Sequence, residues 1–244
     1  MKSTHTFLTK LILSLLLVFS VSSCRTSIEF GSEDGNGTVI TETRTVTEKF
    51  EKISVSSGIK VLVSQADNVS VSVKTDENIL PLISTEVVNG VLIIKAEDSF
   101  DATTGPEVNV SLPYIMGLKS SSGASIISKS TLKSTSLSVE SSSGSDININ
   151  VEADYIMLEA SSGSTIEATG KALKAETASS SGSSINAGNL MANDVFAQAS
   201  SGSSSKVHPI VSLSAKASSG SQITYKNTPQ TLEKTESSGG SISK

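Results

Sequence analysis

The chain has 244 residues, enough for one or two domains with a buried core. It contains no Trp, three Tyr and six Phe, whereas residues 120–244 alone hold 35 serines. So many small side chains favour the thin, layered core of a solenoid over a single wide core. From residue 24 onward, 17 basic and 24 acidic side chains give a net charge of −7, which excludes the basic surface that nucleic-acid binding requires.

Residues 1–23 resemble a secretory signal peptide, because Lys2 and Lys10 precede an apolar stretch at residues 11–21. That stretch is shorter than the roughly 20 residues of a membrane-spanning helix. It ends in Val21-Ser22-Ser23-Cys24, which resembles a bacterial lipobox. We therefore predict that Cys24 is lipidated and anchors the protein in the cell envelope, at the outer membrane. A lone cysteine behind an ordinary signal peptide is the alternative. Cys24 is the only cysteine, so disulfides are excluded.

Residues 24–38 are rich in Gly, Ser and acidic side chains, which predicts a flexible tether that begins at the lipidated cysteine. Residues 39–117 follow as an irregular N-terminal β region, in which apolar and polar residues alternate in short runs. Within it, Asn89-Gly90 predicts a two-residue hairpin, and Pro81 predicts a short helical turn. The phrase Ser56-Ser57-Gly58-Ile59 already resembles the repeat that begins later in the chain.

Residues 118–244 repeat the phrase Ser-Ser-Gly, with Ile three residues after the glycine, about every 19 residues. Glycine adopts backbone angles that strain other residues, so we predict that each phrase forms a corner between two strands. Ser205 takes the place of the isoleucine in the fifth unit. The seven predicted corner glycines are Gly123, Gly144, Gly163, Gly182, Gly202, Gly220 and Gly239.

One corner repeated at a fixed spacing indicates stacked coils that place like residues on like. We therefore predict an all-β fold: a parallel β-helix of roughly 19-residue coils, continuous with the irregular N-terminal half. An antiparallel sandwich with two strands per unit is the alternative. We expect the isoleucines to point inward, and we expect the same of the serine just before each glycine, with its hydroxyl bonded to a neighbouring coil.

The two ends of such a solenoid need separate explanations, because an uncovered last strand pairs with other strands. We expect the irregular N-terminal region to cover one end. The final phrase stops in mid-unit, and only Lys244 is evident as a guard there. The C-terminal end is therefore a candidate surface for self-association.

Several segments carry a family resemblance in their chain order. They are FEKISVSSGIKVLV at residues 50–63, DENIL at 76–80, VLII at 91–94, VNVSLP at 108–113, the Ser-Gly repeats, and SSGGSI at 237–242. In this order they resemble the head GIN domain family, described as autotransporter adhesins and common among lipoproteins of Bacteroidetes-type bacteria. The resemblance covers roughly residues 45–244. It implies a β-helical fold and an adhesive role at the cell surface, and it supplies no catalytic or binding residues.

Residues of the kind that carry chemistry are few. His208 is the only histidine beyond the signal peptide, and we expect it in an irregular, exposed turn. Scattered aromatic residues are expected mostly to cap the core, although some could line a binding surface. The acidic residues of the repeats recur at no single position of the unit, which indicates a solvated face and not a paired-carboxylate groove. They are Glu140, Asp146, Glu152, Asp154, Glu159, Glu167, Glu176 and Asp194.

We therefore predict no catalytic residue, no cofactor and no metal site. The leading hypothesis is a non-enzymatic, lipid-anchored protein of the cell envelope, on its surface or facing the periplasm. Its β-helix would present a Ser/Thr-rich surface to a glycan or another cell-surface ligand, with the membrane as a partner through Cys24. A polysaccharide-active enzyme on the same scaffold and a structural periplasmic lipoprotein are the alternatives.

Overall fold

The computed structural model describes residues 32–244, which form a β-solenoid of about seven parallel coils, each close to 19 residues long. The predicted parallel β-helix is confirmed, and the antiparallel sandwich is wrong. The helical content of this range is one 3₁₀ turn, Leu80–Leu82, at the predicted position. Between residues 32 and 244 no helix is long and apolar enough to cross a membrane. The predicted signal peptide and Cys24 lie outside the described residues.

The N-terminal part consists of short strands in which apolar and polar residues alternate, because one face of each strand meets the core. They are β1 (Glu33–Asp34), β2 (Val39–Arg44), β3 (Lys52–Val55), β4 (Lys60–Gln65), β5 (Ser70–Asp76), β6 (Ile83–Val88), β7 (Val91–Ala96), β8 (Phe100–Asp101) and β9 (Glu107–Leu112).

The repeat region begins with short strands and continues with strands of up to 16 residues that each run around most of a coil. They are β10 (Gly117–Ser120), β11 (Ser125–Ser128), β12 (Leu132–Ser141), β13 (Asp146–Ala160), β14 (Thr165–Ser179), β15 (Ser184–Ala199), β16 (Ser204–Ala217), β17 (Gln222–Tyr225), β18 (Thr231–Glu236) and β19 (Ser241–Ser243).

The coils do not stack in chain order at the N-terminal end. Strands β3 and β4 pair with β7 and β9 on one side and with β10 and β11 on the other. The coil formed by residues 52–65 therefore lies between residues 91–112 and residues 117–128. Beyond this point each coil follows the previous one, from β12 to β19.

The repeated isoleucines form one inward-facing column. The register aligns Val61, Ile126 and Ile147 in successive coils, and the column continues to the last coil. Ser205 keeps the inward orientation of the isoleucine it replaces, and its Oγ lies 2.9 Å from the buried Oγ of Ser179. The remaining members are Ile166, Ile185, Ile223 and Ile242.

Antiparallel strands cover the N-terminal end of the stack, as expected. Strand β5 pairs with β9, β2 pairs with β5, and β6 pairs with β7. The β6–β7 connection is the predicted hairpin, with φ values of 51° at Asn89 and 76° at Gly90. These added strands occupy the hydrogen-bonding edges that the first coil would otherwise expose.

The predicted tether, residues 24–38, extends too far along the chain, because residues 33–37 are bound to the fold. The amide of Gly37 and the amide and hydroxyl of Thr103 donate to the fully buried Asp76 carboxylate, at 3.0, 2.8 and 2.6 Å. The Thr103 hydroxyl, together with these amides, holds the pKa of Asp76 below its usual value. Strand β1 also pairs with β8.

Two inward-facing charged residues close the C-terminal end. Lys234 and Glu236 of β18 align with the buried Ala215 and Ala217 of the coil below. The Lys234 ammonium donates to the Ile242 carbonyl at 3.1 Å, and the Ile242 amide donates to the Glu236 carboxylate at 2.6 Å. Charged residues pointing inward at a sheet edge oppose the addition of another strand. The end is therefore guarded by more than Lys244.

Candidate functional site

Each coil turns twice, and the first turn is the Ser-Gly corner. In all the phrases the serine before the glycine and the glycine itself have positive φ, from 47° to 63° and from 68° to 78°. Positive φ at two successive residues is typical of a type I′ turn. The Gly144 amide then donates to the carbonyl of Ser162, the corner serine of the next coil, at 3.1 Å. The corners thus form a continuous hydrogen-bonded ladder.

The inward serine is the one after the glycine, so the prediction for the serine before it was wrong. Ser143 is exposed because a residue at that turn position points outward, whereas Ser145 is fully buried. The Ser145 hydroxyl donates to the Ser120 carbonyl at 2.8 Å and accepts from the Ser142 amide at 3.1 Å. Bonded in this way, a small polar side chain is tolerated in the core.

A polar groove runs along the corner, and we call it the corner groove. It encloses about 660 Å³. One wall is a column of outward residues that includes Lys119, Glu140 and Glu159, and the first serine of each Ser-Ser-Gly phrase, such as Ser142 and Ser161, lines the other side. Lys119 and Glu140 form an ion pair at 2.9 Å. The register also places Glu140 beside Glu159, two of the predicted acidic residues.

The second turn, which we call the bend, lies near residues 113–116, 132–135, 151–154, 170–173, 190–193 and 208–211 in successive coils. A groove of about 840 Å³ follows these residues, and we call it the bend groove. Its lining is mostly apolar and much of it is exposed to solvent. The exposed apolar side chains that line it are Tyr114, Met116, Leu173, Met191 and Ile210.

Close backbone packing shapes the bend. Gly170 has a φ of 114°, and a Cβ placed on it would lie 2.1 Å from the carbonyl oxygen of Val151 in the coil below. The β14–β15 pairing shifts register between Glu167 and Thr169, just before this glycine. Irregularities of this kind re-aim side chains. Leu173, three residues further on, is 56 % exposed.

Charged side chains rim the apolar lining. Glu152 and Lys171 form an ion pair at 2.9 Å across neighbouring coils. The Lys171 ammonium, with a smaller contribution from Lys133, lowers the pKa of Glu152. Glu51 and Asp154 complete the charges on the groove. The rim therefore holds two cations and three anions, with no strong preference for a ligand of one sign.

His208 lies at the bend of residues 208–211, beside the bend groove, and it is half-buried there, whereas an exposed turn was predicted. It belongs to β16 and lies opposite Met191, where the β15–β16 register shifts. Its Nδ1 lies 3.2 Å from the Gly188 carbonyl oxygen. No nucleophilic side chain is among its hydrogen-bond partners in the described residues, so the geometry of a nucleophile–base pair is not seen there.

The other predicted acidic residues are spread over several outward columns. The Lys174 ammonium lies 2.6 Å from the Glu176 carboxylate and lowers its pKa, while Glu176 raises the pKa of Lys174. Burial, assisted by Glu176, raises the pKa of Tyr155. A general acid needs a carboxyl group with a raised pKa, and Glu176 is shifted the other way. Asp194 accepts from the Ser212 hydroxyl at 2.6 Å, and Glu167 accepts from Asn148 at 3.2 Å.

The aromatic residues divide between core and surface. Phe50 and Tyr225 are buried, as expected, whereas Tyr114 is 69 % exposed in the bend groove. Tyr155 and Phe196 are half-buried on the outer face, and lysine ammonium groups lie 5.5 Å from each ring centre. Within residues 32–244 no cluster of three His, Cys, Asp or Glu side chains is placed to hold a metal ion.

The bend groove was not predicted from the sequence. Leu173, Met191 and Ile210 lie 10, 9 and 8 residues after the corner glycines Gly163, Gly182 and Gly202. Counting from each glycine would have shown apolar residues accumulating at a second place in the unit. What the count could not show is that they point outward.

Comparisons with known proteins agree on family and fold. The model of the family described as "Putative auto-transporter adhesin, head GIN domain" matches residues 49–229. No curated protein matches the chain.

Solved structures of similar fold come from species of Bacteroides and Parabacteroides. A "putative adhesin" from Bacteroides fragilis has a TM-score of 0.80 at 20 % identity, with 86 % of this chain and 98 % of that chain covered. A "putative lipid binding protein" from Parabacteroides distasonis has a TM-score of 0.71 at 20 % identity, with 86 % and 98 % covered. A "putative adhesin" from Parabacteroides merdae has a TM-score of 0.70 at 19 % identity, with 86 % and 97 % covered. At these identities the likeness establishes the fold alone.

Proposed function

The chain belongs to the head GIN domain family, and from that premise we propose that it is a non-enzymatic, lipid-anchored adhesin of the cell envelope. Its solenoid serves as a rigid support, and ligands bind along its length. The bend groove is the proposed binding surface.

The exposed apolar lining of the bend groove carries this proposal. Ligand sites are typically concave and mostly apolar, with a few polar groups at fixed positions. The bend groove has this composition, with the Glu152–Lys171 ion pair on its rim. A water-exposed solenoid gains no stability from leaving Leu173 and Met191 about half exposed, which favours a binding role for them.

Adhesion through the bend groove can be tested with beads coated with the purified protein and counted on a panel of cell and glycan surfaces. We expect the double variant Leu173→Ser/Met191→Ser to lose most of the adhesion of the wild type. Val39→Ser is the matched control, because Val39 is 37 % exposed in β2, where it pairs with Asp76, and it is not among the residues that line the bend groove. Equal adhesion by wild type and double variant would contradict the proposal.

The lipid anchor is the second part of the proposal and depends on Cys24, which lies outside the described residues. An anchored protein should fractionate with membranes, and Cys24→Ala should release it into the soluble fraction. Protease treatment of intact cells then tests the side it faces, since only a surface-exposed protein is degraded. Soluble wild-type protein would refute the anchor without affecting the fold or the groove.

Glycan contact is a second candidate function, favoured by the corner groove. Hydroxyls of successive serines, the Gln198 amide and charged groups line it, and polar groups of this kind hydrogen-bond to sugars. A glycan array should then show binding that Gln198→Ala and Glu159→Gln weaken. Turnover of a bound polysaccharide would instead favour the enzymatic alternative.

A further inference from the structure

We propose that the bend groove binds a single hydrocarbon chain of an amphiphile, lying along the solenoid axis with its polar head in solvent. This ligand class presupposes that the bend groove is a binding surface, as proposed above, and it is argued from four properties of the groove.

The first property is how the exposed apolar side chains are distributed. Among residues 32–244, nine large apolar side chains are exposed, and six of them lie at four of the six bends, four of these six at the three successive bends 170–173, 190–193 and 208–211. Single exposed apolar residues are normal, but a contiguous group marks a binding surface. The six are Tyr114, Met116, Leu173, Met191, Ile210 and Val211.

The second property is length. From the bend of Tyr114 to that of Ile210 the groove crosses five intervals between coils. At about 4.8 Å per interval this is roughly 24 Å. One leaflet of a bilayer has a hydrocarbon thickness of roughly 15 Å. The groove is therefore long enough for one extended acyl chain.

The third property is the lack of unpaired backbone groups on the floor. Ala153 and Ala172 line the groove and align with Ala192 of the next coil, so their backbones belong to the parallel ladder. A peptide that added a strand would need unpaired backbone groups there. A hydrocarbon chain needs none. The thioethers of Met116 and Met191 adapt to chains of different shape.

The fourth property is the absence of a matching apolar ridge elsewhere in the part of the chain that the structure describes. A two-fold dimer that covered the groove would need a convex apolar surface of its own to fill it. The other exposed large apolar residues within 32–244 are Val39, Val69 and Val88, which lie singly in the N-terminal region. The mixed charges of the rim also favour recognition of the ligand's hydrocarbon chain over recognition of one kind of head group.

The test measures binding of a fluorescent fatty acid to the full chain carrying Cys24→Ala, so that no acyl group of the protein competes. Unlabelled saturated fatty acids of increasing length then displace it. We expect saturable binding of one chain per protein, with affinity rising two- to fourfold for each added methylene until the groove is filled. An alkyl alcohol and an alkyl trimethylammonium of equal length should bind within a fewfold of the acid.

Variants locate the site. Leu173→Ser/Met191→Ser should weaken binding at least tenfold, and Val39→Ser should leave it unchanged. Thermal unfolding verifies that all three proteins are folded. Three results would overturn the inference. They are an affinity independent of chain length, an equal affinity of wild type and double variant, or a wild type that is dimeric while the double variant is monomeric. Binding to vesicles without binding to a monomeric amphiphile would overturn it as well.

The outcome separates the two proposals. Adhesion that persists when no acyl chain binds refutes the proposal of a hydrocarbon ligand and leaves the adhesive role of the groove intact. If the double variant loses acyl binding while it adheres as well as the wild type, the adhesive role of the groove is refuted and the hydrocarbon ligand is not.

Discussion

At the Ser-Gly corner every coil uses the same residues with nearly the same backbone angles, whereas at the bend the outward residues change from coil to coil. The corner is defined by what a type I′ turn requires, and its repetition produces the stack. The bend has no such common requirement, so its outward residues are free to differ. Repeated residues therefore specify the scaffold, and the proposed binding surface lies at the turn whose residues are not repeated.

The largest expected effect comes from a glycine at the bend. We expect Gly170→Ala to lower the free energy of unfolding by about 3 kcal/mol, because the new Cβ would meet the Val151 carbonyl oxygen and the backbone must shift. Urea denaturation measures the change. Gly188→Ala is the matched control, since its Cβ would approach only the flexible Lys206 side chain, at 3.0 Å. A small effect at Gly170 would mean that the bend is loosely packed.

A corner glycine should matter less. We expect Gly163→Ala to cost about 1–2 kcal/mol, because φ is 70° there and a Cβ would meet nothing within 4 Å. The cost is conformational, so Gly163→Asn should recover part of it, as asparagine tolerates positive φ. The same denaturation experiment applies. A cost equal to that of Gly170→Ala would show that the corner is more crowded than the structure indicates.

Much of the scaffold could be predicted from the sequence because its signals are local. A glycine with positive φ recurs in each unit, and an isoleucine follows three residues later in all but the fifth, so spacing alone located the corners and the inward column. Pairings between distant segments were not predictable. Nothing in residues 52–65 shows that they lie between residues 91–112 and residues 117–128.

The missed features depend on direction, which a linear pattern does not record. Ser143 and Ser145 flank the same glycine, yet only the turn geometry decides which one is buried. Lys234 and Glu236 resemble solvated charges in the sequence, and only the register with Ala215 and Ala217 shows that they face inward.

The inward serine should have a moderate effect. Ser164 donates to the Ser141 carbonyl at 2.7 Å and accepts from the Ser161 amide at 3.1 Å. We expect Ser164→Ala to cost about 1 kcal/mol, since the Ser161 amide keeps its bond to Ser141 and the first repeat unit has Ala124 at this position. Ser162→Ala, on the exposed side of the same glycine, should have almost no effect. A larger cost for Ser162→Ala than for Ser164→Ala would reverse the assignment.

The smallest effect on stability is expected in the bend groove itself. Leu173 is 56 % exposed, so Leu173→Ser gives up little buried apolar surface and should change the free energy of unfolding by no more than about 0.5 kcal/mol. If Leu173→Ser instead destabilises the protein as much as Gly163→Ala does, the leucine supports the coil and its exposure has no bearing on binding. If stability is unchanged while ligand binding falls, the two turns have separate roles: the corner maintains the stack, and the bend, held in shape by Gly170, presents side chains that folding does not require.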